Sequence, residues 1–224
     1  MRPKTLDHVA FWVADREPIV ELATRHLGMH VVDEQDTFTL VGSNARRGKL
    51  TLFDAEGPRE RGAIKHVALR VSDLEAARAA LPNGAGDELE IGEGISVRLV
   101  EAPTDVDYDL DHVALYTPDP ESTAEEYLDL GFEPTERGPD GHPRVEVGGA
   151  YVEFHEGDPE DSDRPLLNHL AVLVDSADEH TEEAEDRGIV DRVVDAANTR
   201  AVFVWGPDRV RIEYVEHKPG FALT

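Results

Sequence analysis

Four histidines stand near the head of four similar phrases: His8 in "LDHVAFWV", His66 in "IKHVALRV", His112 in "LDHVALYT" and His169 in "LNHLAVLV". Imidazole is a ligand for borderline divalent metals and a proton carrier near neutral pH. Each phrase alternates as a strand does, and an alanine stands two residues after each histidine: Ala10, Ala68, Ala114 and Ala171. A polar group beside so small a neighbour leaves room above that face. The opposite Val/Leu face suits packing beneath helices. A lone histidine of this kind is most often a satisfied core residue. Four in one register point to a site built into a repeated unit, of which any single copy can be a relic.

A metal needs further donors. The last strands of the third and fourth units read "YVEFHE" and "RIEYVE", with Glu153 and Glu213 among apolar neighbours. A carboxylate on an inner face is costly unless it is paired or bound to a cation. The matching runs of the first two units, "LTLF" and "VRLVE", put Thr51 and Val100 there. The expected ligand set is therefore His112, Glu153, His169 and Glu213. His8 and His66 are expected to hold nothing. Two imidazoles with one or two carboxylates suit iron(II), manganese, nickel, cobalt or zinc; the alternative is a metal-free His/Glu hydrogen-bond network. His155, two residues after Glu153, reaches the same face as a proton shuttle, with a rim histidine as the alternative. Arg211, Trp205 and Tyr116 are lesser pocket candidates, and "GPDGHP" (138–143) reads as a turn.

The elements that must position these groups follow from the spacing. The histidines are 58, 46 and 57 residues apart, and corresponding copies in the two halves lie 104 and 103 apart. A unit of about 50 residues, doubled twice, is the simplest account. In each unit the histidine strand is followed by a helix, as in "DREPIVELATRHLG" and "PDPESTAEEYLDLG", and then by short β-rich runs. Ser72 and Glu75 form a capping-box pattern, and Gly28, Gly131 and Gly188 stand where C-terminal cap glycines belong. The fold class is thus α+β, four βαβββ modules. The acidic stretch "EAPTDVDYD" (101–109) is the expected boundary between an N-terminal pair, 1–103, and a C-terminal pair, 104–224, with the metal in the second.

Composition narrows the partners. The 224 residues include 48 acidic and 22 basic ones, for a net charge of −26, and only four lysines: Lys4, Lys49, Lys65 and Lys218. Such a field repels nucleic acid and anionic lipid, and no stretch has the length of a membrane span. An acidic, lysine-poor surface of this kind resembles that of proteins from salt-loving organisms. Without cysteine, thiolate metal sites and disulfides are excluded. The N-terminal ten residues have no apolar core of a secretion signal, so a cytoplasmic location is expected. The partner class is a small molecule, and a homo-oligomer is left open.

On the four "x-D/N/K-H-x-A" strands, the βαβββ repeat and the terminal "RIEY", the chain resembles the vicinal oxygen chelate superfamily, also called the glyoxalase/bleomycin resistance/dioxygenase family. The resemblance implies paired βαβββ modules cupped as half-barrels around a divalent metal that holds two adjacent substrate oxygens. Two domains with a metal only in the second is similar to type I extradiol ring-cleaving dioxygenases. That likeness implies an iron(II) site of His112, His169 and Glu213. One His and one Glu per unit, with Glu153 as fourth ligand and base, is similar instead to glyoxalase I-type isomerases and epimerases, which implies nickel, cobalt, zinc or manganese. A non-catalytic binder like the bleomycin-resistance proteins is the third implication.

Overall fold

The computed structural model describes residues 1–82, 86, 88–159 and 163–219. The first module is β1 (Thr5–Val13), α1 (Glu17–His26), β2 (His30–Gln35), β3 (Phe38–Asn44) and β4 (Arg47–Asp54). The second is β5 (Ile64–Val71), α2 (Leu74–Ala80), β6 (Glu88–Gly92) and β7 (Ile95–Glu101). The third is β8 (Asp109–Thr117), α3 (Pro120–Asp129), β9 (Glu133–Pro134), β10 (Arg144–Val147) and β11 (Ala150–Glu156). The fourth is β12 (Leu167–Leu173), α4 (Ala177–Asp186), β13 (Val190–Asp195), β14 (Thr199–Trp205) and β15 (Arg211–His217). Three modules are βαβββ, and the second shows βαββ among the described residues. No helix among these residues is long and apolar enough to cross a membrane.

Within each module the histidine strand runs parallel to the last strand, as β1 does to β4 and β12 to β15. Between modules, the sheets depart from the expected order. One sheet runs β13-β14-β15-β12-β1-β4-β3-β2, and the other β6-β7-β5-β8-β11-β10-β9. The first module therefore joins the fourth, and the second joins the third. The split expected between residues 103 and 104 does not separate them, because β5 pairs with β8 and β1 with β12, both antiparallel, across it.

The Val/Leu faces behave as alternation requires. Val9, Phe11, Val67, Leu69, Val113, Leu115, Leu170 and Val172 are buried in one core drawn from both sheets. The helices close over it. Helix α1 of the first module sits on β6 of the second, where a side chain at Gly92 would meet Ile19 at 2.7 Å. Gly28, Gly131 and Gly188 all have positive φ just past their helices, as the cap positions demand. The capping box is displaced by one residue. Asp73, rather than Ser72, accepts from the Ala76 N–H, since Ser72 Oγ donates to the Thr104 carbonyl.

Two buried tyrosines in this core differ in one respect. The Tyr214 hydroxyl donates to the Leu130 carbonyl at 2.6 Å, whereas the Tyr127 hydroxyl is buried with no partner. An unsatisfied buried hydroxyl destabilises, and a satisfied one contributes. Tyr127→Phe should therefore leave unfolding stability unchanged or raise it by about 1 kcal/mol, and Tyr214→Phe should lower it by about 1 kcal/mol. Urea titrations of the two variants check the contrast.

Candidate metal centre

The pairing of β1 with β12 sets Ala10 opposite His169 and His8 opposite Ala171. With only methyl groups beside them, the imidazoles lean toward each other over the sheet. His8 Nε2 and His169 Nε2 are 3.0 Å apart. Opposite Ala171 on the other side lies Glu213. Its Oε2 is 3.0 Å from His169 Nε2 and 3.4 Å from His8 Nε2. Three donors about 3 Å apart match one face of an octahedron with bonds of about 2.1 Å. Among the described residues, only this group brings two imidazoles and a carboxylate to within 4.8 Å of one another.

The residue before each histidine fixes its ring. His8 Nδ1 lies 2.9 Å from Asp7 Oδ1, and His169 Nδ1 lies 2.9 Å from Asn168 Oδ1. With Nδ1–H donating outward, each Nε2 turns its lone pair to the centre, as ligating histidines require. Asp7 is fully buried and is itself anchored by Lys49 Nζ at 2.8 and 2.9 Å and by His217 Nε2 at 3.2 Å. Burial alone would raise its pKa, but Lys49, His217 and His8 hold it well below the usual carboxylate range. Burial likewise opposes the Glu213 carboxylate, and His169 outweighs it, so its pKa is lowered. Burial depresses the pKa of His169. An ionised carboxylate beside a neutral imidazole is a donor set ready for a cation.

These groups sit at the floor of a cleft of about 1140 Å³. Phe203 meets the His169 ring edge-on at 5.1 Å, and Phe53 lies 6.1 Å from it. Thr51 occupies the remaining position: it pairs with Ala10 as Glu213 pairs with Ala171.

The second sheet repeats the layout with different chemistry. His66 Nε2 and His112 Nε2 are 3.1 Å apart, and Glu153 stands opposite Ala114. Glu153 Oε1, however, bonds His155 Nε2 at 2.8 Å, and Lys65 Nζ approaches His155 Nδ1 at 2.9 Å. Opposite Ala68, at the register of a ligating carboxylate, stands Arg98 rather than the expected Val100, which pairs with Arg70. A two-residue shift in alignment keeps the face and changes the residue. His66 is preceded by Lys65, so its buried Nδ1 has no partner. Burial, with His112 next, pushes its pKa down to about 3. The segment read as a turn closes over this cup: His142 packs on His155 at 3.8 Å, and a Cβ at Gly138 would fall 2.1 Å from a Glu153 carboxylate oxygen.

The expected set is thus divided. His169 and Glu213 share the first cup with His8, which the sequence reading set aside. His112, Glu153 and the proposed shuttle His155 lie in the second. The cause is the pairing of modules, which places module three beside module two. Asp7, Lys49, Asn168 and His217 were missed as supports. The one available signal was Lys49, a rare lysine inside an apolar strand. Arg211 and Trp205 lie together away from the first cup, with the guanidinium 4.7 Å above the indole. Tyr116 carries Arg61 over its ring at 4.5 Å.

The sequence model of the Glyoxalase/Bleomycin resistance protein/Dioxygenase superfamily matches residues 5–96 and 109–214. Among curated proteins none matches. The fold is similar to a putative dioxygenase from Bacillus subtilis, at TM-score 0.78 and 16% identity over 99% of this chain and 87% of that one. It is also similar to glyoxalase I from Zea mays, at 0.72 and 16% over 95% and 92%. The cppA protein of Streptococcus pneumoniae gives 0.65 and 11% over 96% and 98%.

The buried Asp7–Lys49 pair generates a stability prediction. Lys49→Met strands a buried carboxylate and should cost about 3–5 kcal/mol in urea unfolding. Adding Asp7→Leu should restore most of that loss. The double variant should still bind metal at least about tenfold more weakly, because His8 loses its orienting partner.

Proposed function

Because the chain belongs to the glyoxalase/bleomycin resistance protein/dioxygenase superfamily, we propose that it is a divalent-metal enzyme whose ion is held by His8, His169 and Glu213. Its reaction is extradiol-type oxidative ring cleavage of a small aromatic molecule with two adjacent hydroxyls. One observation carries this choice over an isomerase. Thr51 stands where a fourth protein ligand belongs, so the donor set is two histidines and one carboxylate on one face. That set suits oxygen-activating iron(II), because it leaves positions for two substrate oxygens and for O₂. The isomerase reading needed Glu153 as fourth ligand and base, and Glu153 is bonded to His155 in the other cup.

When bound, the ion supplies Lewis acidity toward the two oxygens and, as iron(II), the redox chemistry that O₂ requires. The chain supplies the rest. Asp7 and Asn168 hold the two imidazoles in one tautomer. Phe53 and Phe203 flank His169 and give a substrate ring apolar walls. His217 lines the same cleft beside Asp7 and is placed to hold a proton there.

The test is anaerobic iron(II) loading followed by oxygen uptake with catechol. His8→Ala, His169→Ala and Glu213→Gln should each lower uptake more than about a hundredfold, beyond the loss from an orienting partner alone. His112→Ala and Glu153→Gln should retain both metal and uptake. Thr51→Glu should keep the metal and lose turnover, since a fourth ligand fills a substrate position. Full iron loading without uptake, or loss of iron in His112→Ala but not His8→Ala, sinks the reading.

A further inference from the structure

The residue before each of the four cup histidines sits at a shift in strand register: Asp7, Lys65, Asp111 and Asn168. A bulge of this kind re-aims the extra side chain, here toward the face of the histidine that follows it. Three of the four are oxygen acceptors engaged with that histidine's Nδ1. Lys65 has no acceptor to offer. It leaves His66 Nδ1 bare and brings an amine to the second cup. One change in the repeat has thus put a nucleophile where the other copies have an oxygen.

The chain has four lysines, and three of them donate to carboxylates. Lys4 is paired with Asp175, Lys49 with Asp7 and Lys218 with Asp195. Lys65 meets an imidazole instead: its Nζ lies 2.9 Å from His155 Nδ1. On the other side of that ring, His155 Nε2 lies 2.8 Å from Glu153 Oε1. Burial opposes the charge on Glu153, but the bond from His155, with His112 next, outweighs it and lowers its pKa. The carboxylate therefore accepts the Nε2–H, and Nδ1 keeps its lone pair toward Lys65. Burial lowers the pKa of Lys65 against the pull of Glu153 and Glu88; Arg98 adds to the lowering, and Asp140 opposes it. Amine, base and orienting carboxylate stand in line, the order that activates a nucleophile. His142 packs on the His155 ring at 3.8 Å, and the chain at Gly138 lies against Glu153, which leaves room for small molecules only.

We propose that Lys65 is a second reactive centre, independent of the metal, which captures small aldehydes as a Schiff base with His155 as its base. His155 Nδ1 takes a proton from the Lys65 ammonium. The freed Nζ lone pair bonds to the carbonyl carbon, and the C=O π electrons move to oxygen. A proton passes from that nitrogen to that oxygen, giving a carbinolamine. The imidazolium, stabilised by Glu153, returns its proton to the new hydroxyl, which leaves as water while C=N forms. One ammonium and one aldehyde give one iminium and one water, with no change of oxidation state.

The experiment uses the full chain without added metal, so its outcome does not bear on the first cup. The chain is treated with propanal and cyanoborohydride, which reduces the iminium to a stable propylamine, and each lysine is read by peptide mass spectrometry. Lys65 should be alkylated at least about tenfold faster than exposed Lys4, well within what a positioned base adds. His155→Ala should bring Lys65 down to the rate of Lys4, and added imidazole should restore part of the loss. Glu153→Gln should slow Lys65 as well and leave Lys4 and Lys218 unchanged. Equal rates at Lys65 and Lys4 in the unaltered chain overturn the proposal. So does a fast Lys65 that stays fast in both variants.

Discussion

The antiparallel register of β1 on β12 is the constraint on which the site depends. It sets each histidine against the other strand's alanine, so two imidazoles approach across a gap that any larger side chain would fill. The resulting 3.0 Å between His8 Nε2 and His169 Nε2 comes from strands 161 residues apart in the chain. Neither module could produce it alone. The carboxylate arrives by the parallel pairing inside module four, and the buried Asp7–Lys49 pair holds the first histidine to its angle. The whole arrangement faces away from the core, so the apolar faces below can be packed without compromise to the donors above.

The same construction made twice shows what the chemistry requires. Both cups have the crossed histidines, and both have a glutamate opposite an alanine. The second differs in its surroundings. Lys65 stands before His66 where an orienting aspartate or asparagine would be, although His112 keeps Asp111 on its Nδ1 at 2.7 Å, and Arg98 stands at the fourth register position. Glu153 is bonded to a neighbouring histidine, and the loop at Gly138 covers it. In the first cup a carboxylate faces the two imidazoles and both outer nitrogens are engaged; in the second the carboxylate is turned to His155 and the outer nitrogen of His66 has no partner.

Charge works at two ranges in this molecule. The surplus of acidic residues lies mostly at the surface, where solvent and salt screen it. Inside the cleft the balance is local: Lys49 offsets Asp7, Glu213 faces the neutral imidazole of His169, and Arg192 has no carboxylate within ion-pair distance among the described residues. An overall charge of −26 says little about the field at the floor of the cleft, which is set by groups a few ångströms away.

Much of this was legible in the residues. The repeat, the βαβββ order, the helix caps and the Val/Leu core faces are local patterns with periods of 2 and 3.6, and a single module contains all the information they need. The identities of His169 and Glu213 as inward-facing donors were readable for the same reason. Which modules share a sheet was not. Strand pairing between modules is decided by how four similar apolar faces and four helices pack into one core, as where α1 rests on β6, and no local pattern records that choice. The tertiary structure joined the first module to the fourth. It thereby brought His8 beside His169 and Glu213 in the candidate metal centre, set Thr51 at the fourth register position, and carried His112, Glu153 and His155 into the other cup.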